Sequence, residues 1–157
     1  MNRRIVLALA VASAALVSWA EPATAQSMKS VAGTYSVVKV DAYGEKARGI
    51  MVLTPDGHYV INLARETLPK FAGNNRVKGT AEENAAVIQG SIFHNGKYTI
   101  DDGGKSITFH IQASSFPNWD GTTQKRLLKV KGDELIYTVA TPSNGGQPND
   151  VIWKRMK

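Results

Sequence analysis

Three histidines, no cysteine and thirteen scattered acidic residues bound the chemistry open to this 157-residue chain. His58, His94 and His110 lie on separate segments, without a His-x-His or His-Glu-x-x-His spacing, so neither a metal nor another cofactor is expected. Gly103-Gly104 and Gly145-Gly146 are not followed by a helical pattern, as a phosphate-cradling loop requires. Ser106, Ser114 and Ser115 lack the strand–turn–helix context of an activated nucleophile. The densest run of functional side chains is Ser115–Arg126, which joins two strand patterns and mixes a rigid proline, two large aromatics and several hydrogen-bonding groups. Its structural reading is a strand corner whose aromatics plug one end of the fold. Its functional reading is the rim of a pocket, with Trp119 as apolar wall and Asn118 or Arg126 orienting a polar ligand group. His110, eight positions before Asn118, joins the candidates, because a turn at 116–121 would bring His110 and Arg126 to the same end of adjacent antiparallel strands. The candidate ligand-binding set is therefore His110, Asn118, Trp119 and Arg126.

The elements that must hold these residues read as short strands separated by turn chemistry. Strand patterns run over Thr34–Val40, Gly49–Thr54, His58–Arg65, Ser106–Ser114, Lys125–Lys131, Glu134–Ala140 and Asp150–Arg155. Pro55-Asp56-Gly57 marks a tight hairpin, proline presetting φ and glycine accepting a positive one. Ser91–His94 and Lys97–Asp101 flank Asn95-Gly96, read either as a hairpin turn or as a kink within one long strand. Ser106–Ser114 alternates, with Ile107, Phe109, Ile111 and Ala113 on one face and Thr108, His110, Gln112 and Ser114 on the other. Either face can be set toward the interior on this pattern alone. Thr80-Ala81-Glu82-Glu83 is a capping box and starts the one convincing helix, which Gly90 ends. Glu66–Gly79 has no period and reads as a long loop across one end; Gln26–Ala32 reads as a short polar lead-in. The expectation is an all-β fold, one antiparallel barrel of about eight to nine strands with one short helix, closure removing its exposed edges.

Residues 1–25 read as a signal peptide. Arg3-Arg4 precedes the apolar stretch Ile5–Ala20, and Ala23-Thr24-Ala25 supplies a cleavage pattern before Gln26. That stretch is shorter than the roughly 20 residues a bilayer-spanning helix needs. The expected mature domain is 26–157, periplasmic or secreted, with no integral membrane segment after cleavage and no disulfide framework. The net charge is +6, of which Arg3, Arg4 and Glu21 of the expected leader account for +1; in the expected mature domain the cations are dispersed, with Lys125-Arg126 and Lys154-Arg155 as the tight pairs. That pattern fits a solvated basic surface rather than a nucleic-acid face.

The order and spacing of several short pieces resemble the bacterial lipocalin-like domain family, small barrels within the wider calycin group. The pieces are Gly33-Thr34-Tyr35, the run Gly49–Gly57, Gly79–Glu83, His110, Phe116-Pro117-Asn118-Trp119-Asp120-Gly121-Thr122 leading to Arg126, and Trp153-Lys154-Arg155. The resemblance runs from Gly33 to Arg155 and implies a barrel cavity that takes a small ligand. Lipocalin first strands usually carry Gly-x-Trp, where this chain has Tyr35. The resemblance implies that Tyr35 packs under Arg155 and closes the bottom of the barrel, with a smaller ring in the cation–π contact. The leading functional reading is an exported protein that holds a small, partly apolar ligand. The alternative is a cofactor-free isomerase, cyclase or hydrolase, with His110 as acid or base and Arg126 stabilising negative charge. A third is a structural envelope protein without a ligand.

Overall fold

The structure, a computed structural model, describes residues 26–157; the expected signal peptide lies outside the described residues. Eight strands form a closed antiparallel barrel in chain order: β1 Gly33–Val40, β2 Arg48–Leu53, β3 His58–Ala64, β4 Ser91–Asp101, β5 Ser106–Ser114, β6 Thr123–Lys131, β7 Glu134–Val139 and β8 Asn149–Arg155. Each strand pairs with the next, and β8 returns to β1 with Tyr35 opposite Arg155 and Val37 opposite Trp153. The hairpin at Pro55-Asp56-Gly57 joins β2 to β3 as expected, with the Thr54 amide donating to the His58 carbonyl at 2.9 Å and Gly57 at φ +88°.

Asn95-Gly96 is not a turn. Of the two readings, the kink within one long strand is the one that forms: β4 runs on without a break, and the pair marks a register shift against β5. Asn95 faces Ala113 and Gly96 faces Ile111, so Gln112 is the extra residue of a β-bulge. Gly96 is required: at φ +156° a Cβ would stand 2.0 Å from the His110 carbonyl oxygen. The bulge also breaks the alternation expected for β5. Ile107, Phe109 and Ile111 are buried inside the barrel, but past the bulge Ala113 is exposed and Ser114 pairs with the inward-facing His94.

One end of the barrel is packed shut. The segment expected to be a polar lead-in forms a one-turn helix, α1 Met28–Val31, started by a Ser27–Ser30 capping box. Val31 is fully buried, and the Tyr35 hydroxyl donates to its carbonyl at 2.6 Å. Tyr98 donates to the Thr54 carbonyl at 2.7 Å and contacts the Met28 carbonyl at 3.3 Å. Arg155 lies 4.8 Å from the centre of the Tyr35 ring and donates to the carbonyls of Ala32 and, at 2.9 Å, Ser30. Trp153, Met51, Leu53, Ile107 and Leu135 fill the space above this plug.

At the other end lie the segment Glu66–Gly79 and the helix α2 Ala81–Gln89. The Thr80 hydroxyl accepts from the Glu83 amide at 3.2 Å, and Glu83 accepts from the Thr80 amide at 2.9 Å. The second oxygen of Glu83 accepts from the Ala72 amide at 2.8 Å, tying the long loop to the start of the helix. None of the residues of α2 is buried. Among the described residues no helix is long and apolar enough to cross a membrane.

Candidate functional site

Above the packed floor the barrel opens into a cavity of about 510 Å³, within the range of small-molecule sites. Its walls come from β1, β3, β4, β6, β7 and β8 and from Ser115 and Phe116 just after β5, and its rim from Tyr43, Arg65, Ile88, Trp119 and the loop at 142–144. Two polar side chains reach into it from inside the barrel, His94 of β4 and Arg126 of β6. Each is placed by strand parity. Arg126 shares the inward face of β6 with Leu128, whereas Lys125, Leu127 and Lys129 point to solvent. His94 shares the inward face of β4 with Tyr98.

Arg126 is 5% exposed. Its guanidinium lies over the rings of Tyr137 and Phe109, at 4.7 and 5.2 Å from their centres, and Nη2 donates to the side-chain oxygen of Gln124 at 2.6 Å. His94 is 2% exposed, and its Nδ1 is 2.9 Å from the Tyr59 hydroxyl. Burial, with the neighbouring Arg126 charge as the second cause, pushes the imidazole pKa down to about 3. At neutral pH the ring is therefore uncharged. Burial likewise raises the Tyr59 phenol, against a smaller opposing effect of Arg126, so the pair is a neutral hydrogen bond. Aromatic contacts run on from it to the rim: His94 to Trp119 at 5.5 Å and Trp119 to Phe116 at 5.7 Å, both edge to face. At the rim, burial raises Tyr43 to about 12, with Arg65 acting in the opposite direction.

Of the four residues singled out from the sequence, the structure brings Arg126 and Trp119 together around this cavity. It places His110 and Asn118 elsewhere. His110 is exposed on the outer face of β5, where its Nδ1 is 3.3 Å from Thr123 Oγ1. The inward face of β5 is the apolar one, and His110 and Gln112, of opposite parity, are exposed, whereas Ser106 and Thr108 are buried. Asn118 is exposed in the tight turn Pro117–Trp119, which aims Trp119 inward and Asn118 away. Sequence reasoning passed over His94 and Tyr59. The signal for His94 was parity: Ile92, His94, Gly96, Tyr98 and Ile100 form one alternating face once Asn95-Gly96 is read as part of the strand. Among the described residues no group of histidine, aspartate and glutamate side chains is arranged to hold a metal.

A closed eight-stranded antiparallel barrel, plugged at one end and hollow at the other, defines a lipocalin-like protein. The chain belongs to the lipocalin-like domain family, whose pattern matches residues 26–156. It is also similar to the 4'-hydroxy-3'-methoxypropiophenone carrier protein ppsC of Aspergillus oryzae, at 29% identity over 101 residues, 59% of this chain and 91% of the relative.

Proposed function

We propose that this protein is an exported carrier, which holds a small, partly apolar molecule in the barrel cavity and releases it unchanged. The observation that carries the reading is the cavity itself, an opening of about 510 Å³ with aromatic walls and a cationic group at its inner end. The resemblance to a carrier over most of that relative's length supports it. The side chains of the cavity favour binding over proton transfer. His110 stands outside, and the buried His94 imidazole, its pKa pushed down to about 3, stays uncharged at neutral pH and is a poor base there. The export half of the reading rests on the sequence of residues 1–25.

Native mass spectrometry on protein recovered from a bacterial periplasm tests both halves at once. The expected species has the mass of residues 26–157 plus a non-covalent small molecule. Val139→Trp, which sets a large ring into the cavity wall, should lose the adduct while the barrel stays folded. A mass retaining residues 1–25 would overturn cleavage, and an adduct unaffected by Val139→Trp would overturn the cavity as its site.

A further inference from the structure

Arg126 is the least compensated charge among the described residues of the barrel interior. None of the ion pairs formed by those residues includes it. Its guanidinium donates to the neutral amide oxygen of Gln124 and also interacts with the neutral Tyr137 hydroxyl, so both of its polar partners are uncharged. The faces of Tyr137 and Phe109 cover the cation without neutralising it. Taking a cation out of water without a counter-charge is unfavourable, and an anionic ligand would supply the counter-charge that the described residues do not. The lining of the cavity agrees. It contains no aspartate or glutamate, and its second charged side chain, Arg65 at the rim, is also a cation.

The shape of the walls narrows the class. His94, Trp119, Phe116 and Tyr137 line the cavity around Arg126, the first three packed edge to face on one another. Such surfaces suit a planar ring, stacked or edge-on, better than a flexible chain. Deepening the carrier reading above and resting on it, we infer that the ligand is an aromatic oxyanion, a small ring bearing a phenolate or carboxylate whose charged oxygen sits on Arg126. In that pose the anion meets a charge-assisted donor in a water-poor site, where the attraction is strongest. The titratable groups around it do not oppose it: His94 from β4 and Tyr59 from β3 are neutral, as are Tyr137 from β7 and Tyr43 at the rim, while Arg65 adds positive charge.

The test is calorimetric and spectroscopic, with four probes: 4'-hydroxy-3'-methoxypropiophenone, its methyl ether 3',4'-dimethoxypropiophenone, 4-hydroxy-3-methoxybenzoate and octanoate. Phenolates absorb at longer wavelength than phenols, so the ionisation of the first probe can be followed while it is bound. In the wild-type protein its midpoint should fall by at least one pH unit on binding. Above that midpoint the methyl ether, which cannot ionise, should bind at least tenfold more weakly, and the benzoate should bind with the phenolate. Arg126→Gln should erase both the shift and the preference, and Arg126→Lys should retain part of each. An ether that binds as well as the phenol, with no shift in midpoint, would overturn the anion and leave the carrier reading standing. Octanoate binding as tightly as the benzoate would overturn the aromatic part. Failure of every probe to bind, charged or neutral, would overturn this assignment, while the carrier reading stands or falls on the adduct seen by native mass spectrometry. Should the Arg126 variants not fold, the wild-type shift and the ether comparison still decide.

Discussion

His94 couples the site to stability. In the unfolded chain a histidine titrates near roughly 6.5, whereas the buried ring is held down to about 3 by desolvation and then by Arg126. Between those two values the unfolded chain binds a proton that the folded barrel refuses. Stability must therefore fall as pH falls through that window, by up to about 1.4 kcal/mol per pH unit for a single site. Above the window this group adds no pH dependence, and below it the loss stops growing. Replacing His94 by glutamine removes the titration but keeps a polar side chain beside Tyr59. Urea midpoints of wild type and His94→Gln, compared between pH 7 and pH 4.5, should diverge, with the wild type losing more; carboxylates common to both cancel. Parallel curves would show that His94 does not titrate as its burial requires. The same residue shows where the sequence stopped being legible. Arg126 and Trp119 were readable as site residues by type. His94 was hidden because Asn95-Gly96 reads equally as a hairpin turn, and only the long-strand alternative keeps the parity that aims the ring inward.

Among the elements, the turns and caps were legible because their chemistry is local. Pro55-Asp56-Gly57 and the Thr80 capping box need no distant partner to be recognised, and both form as read. Two features were not legible, for the opposite reason. The β5 bulge at Gln112 exists only as a mismatch with β4, and α1 is ordered through Tyr98 and Arg155, which are distant in the chain, together with nearby Tyr35. The capping box now permits a sharper expectation than a loss of global stability. Because α2 buries none of its residues, losing its cap should fray the helix without unfolding the barrel. Thr80→Ala should lower the local opening free energy of α2 by about 1 kcal/mol, roughly a fivefold rise in amide exchange, with the global urea midpoint little changed. Glu83→Ala should reach further, since the same carboxylate also holds the Ala72 amide. Exchange should rise at Ala72 as well as within the helix. A global midpoint that drops with either variant would mean that α2 is part of the cooperative core rather than a rim element.

At the scale of the whole molecule the two ends of the barrel divide the work, and two arginines mark the division. Arg126 sits beneath the open end with few polar partners, whereas Arg155 at the closed end holds two backbone carbonyls. It stacks on Tyr35, the residue directly opposite it where β8 meets β1, and its guanidinium donates to two carbonyls at the C-terminal end of α1. That geometry satisfies backbone oxygens that a helix end leaves without partners and adds positive charge where the helix dipole favours it. The contact between Tyr35 and Arg155 implied by the resemblance is therefore present, with a further task as the clamp on the plug. Arg155→Met keeps much of the aliphatic packing but removes the cation–π contact and both hydrogen bonds. It should cost on the order of 2–3 kcal/mol. The thermal midpoint should then drop by several degrees, while affinity for a cavity ligand stays within about twofold, because none of the residues lining the cavity belongs to the plug. Arg126→Gln should do the reverse, abolishing the preference for an anionic ligand and leaving the thermal midpoint nearly unchanged or raised, since an uncompensated buried charge is removed. Thermal melts and ligand titrations on the two variants side by side read this double dissociation directly. Loss of ligand affinity in Arg155→Met at temperatures where it remains folded would mean that the plug and the cavity are coupled, and that the barrel works as one unit rather than as a floor and a vessel.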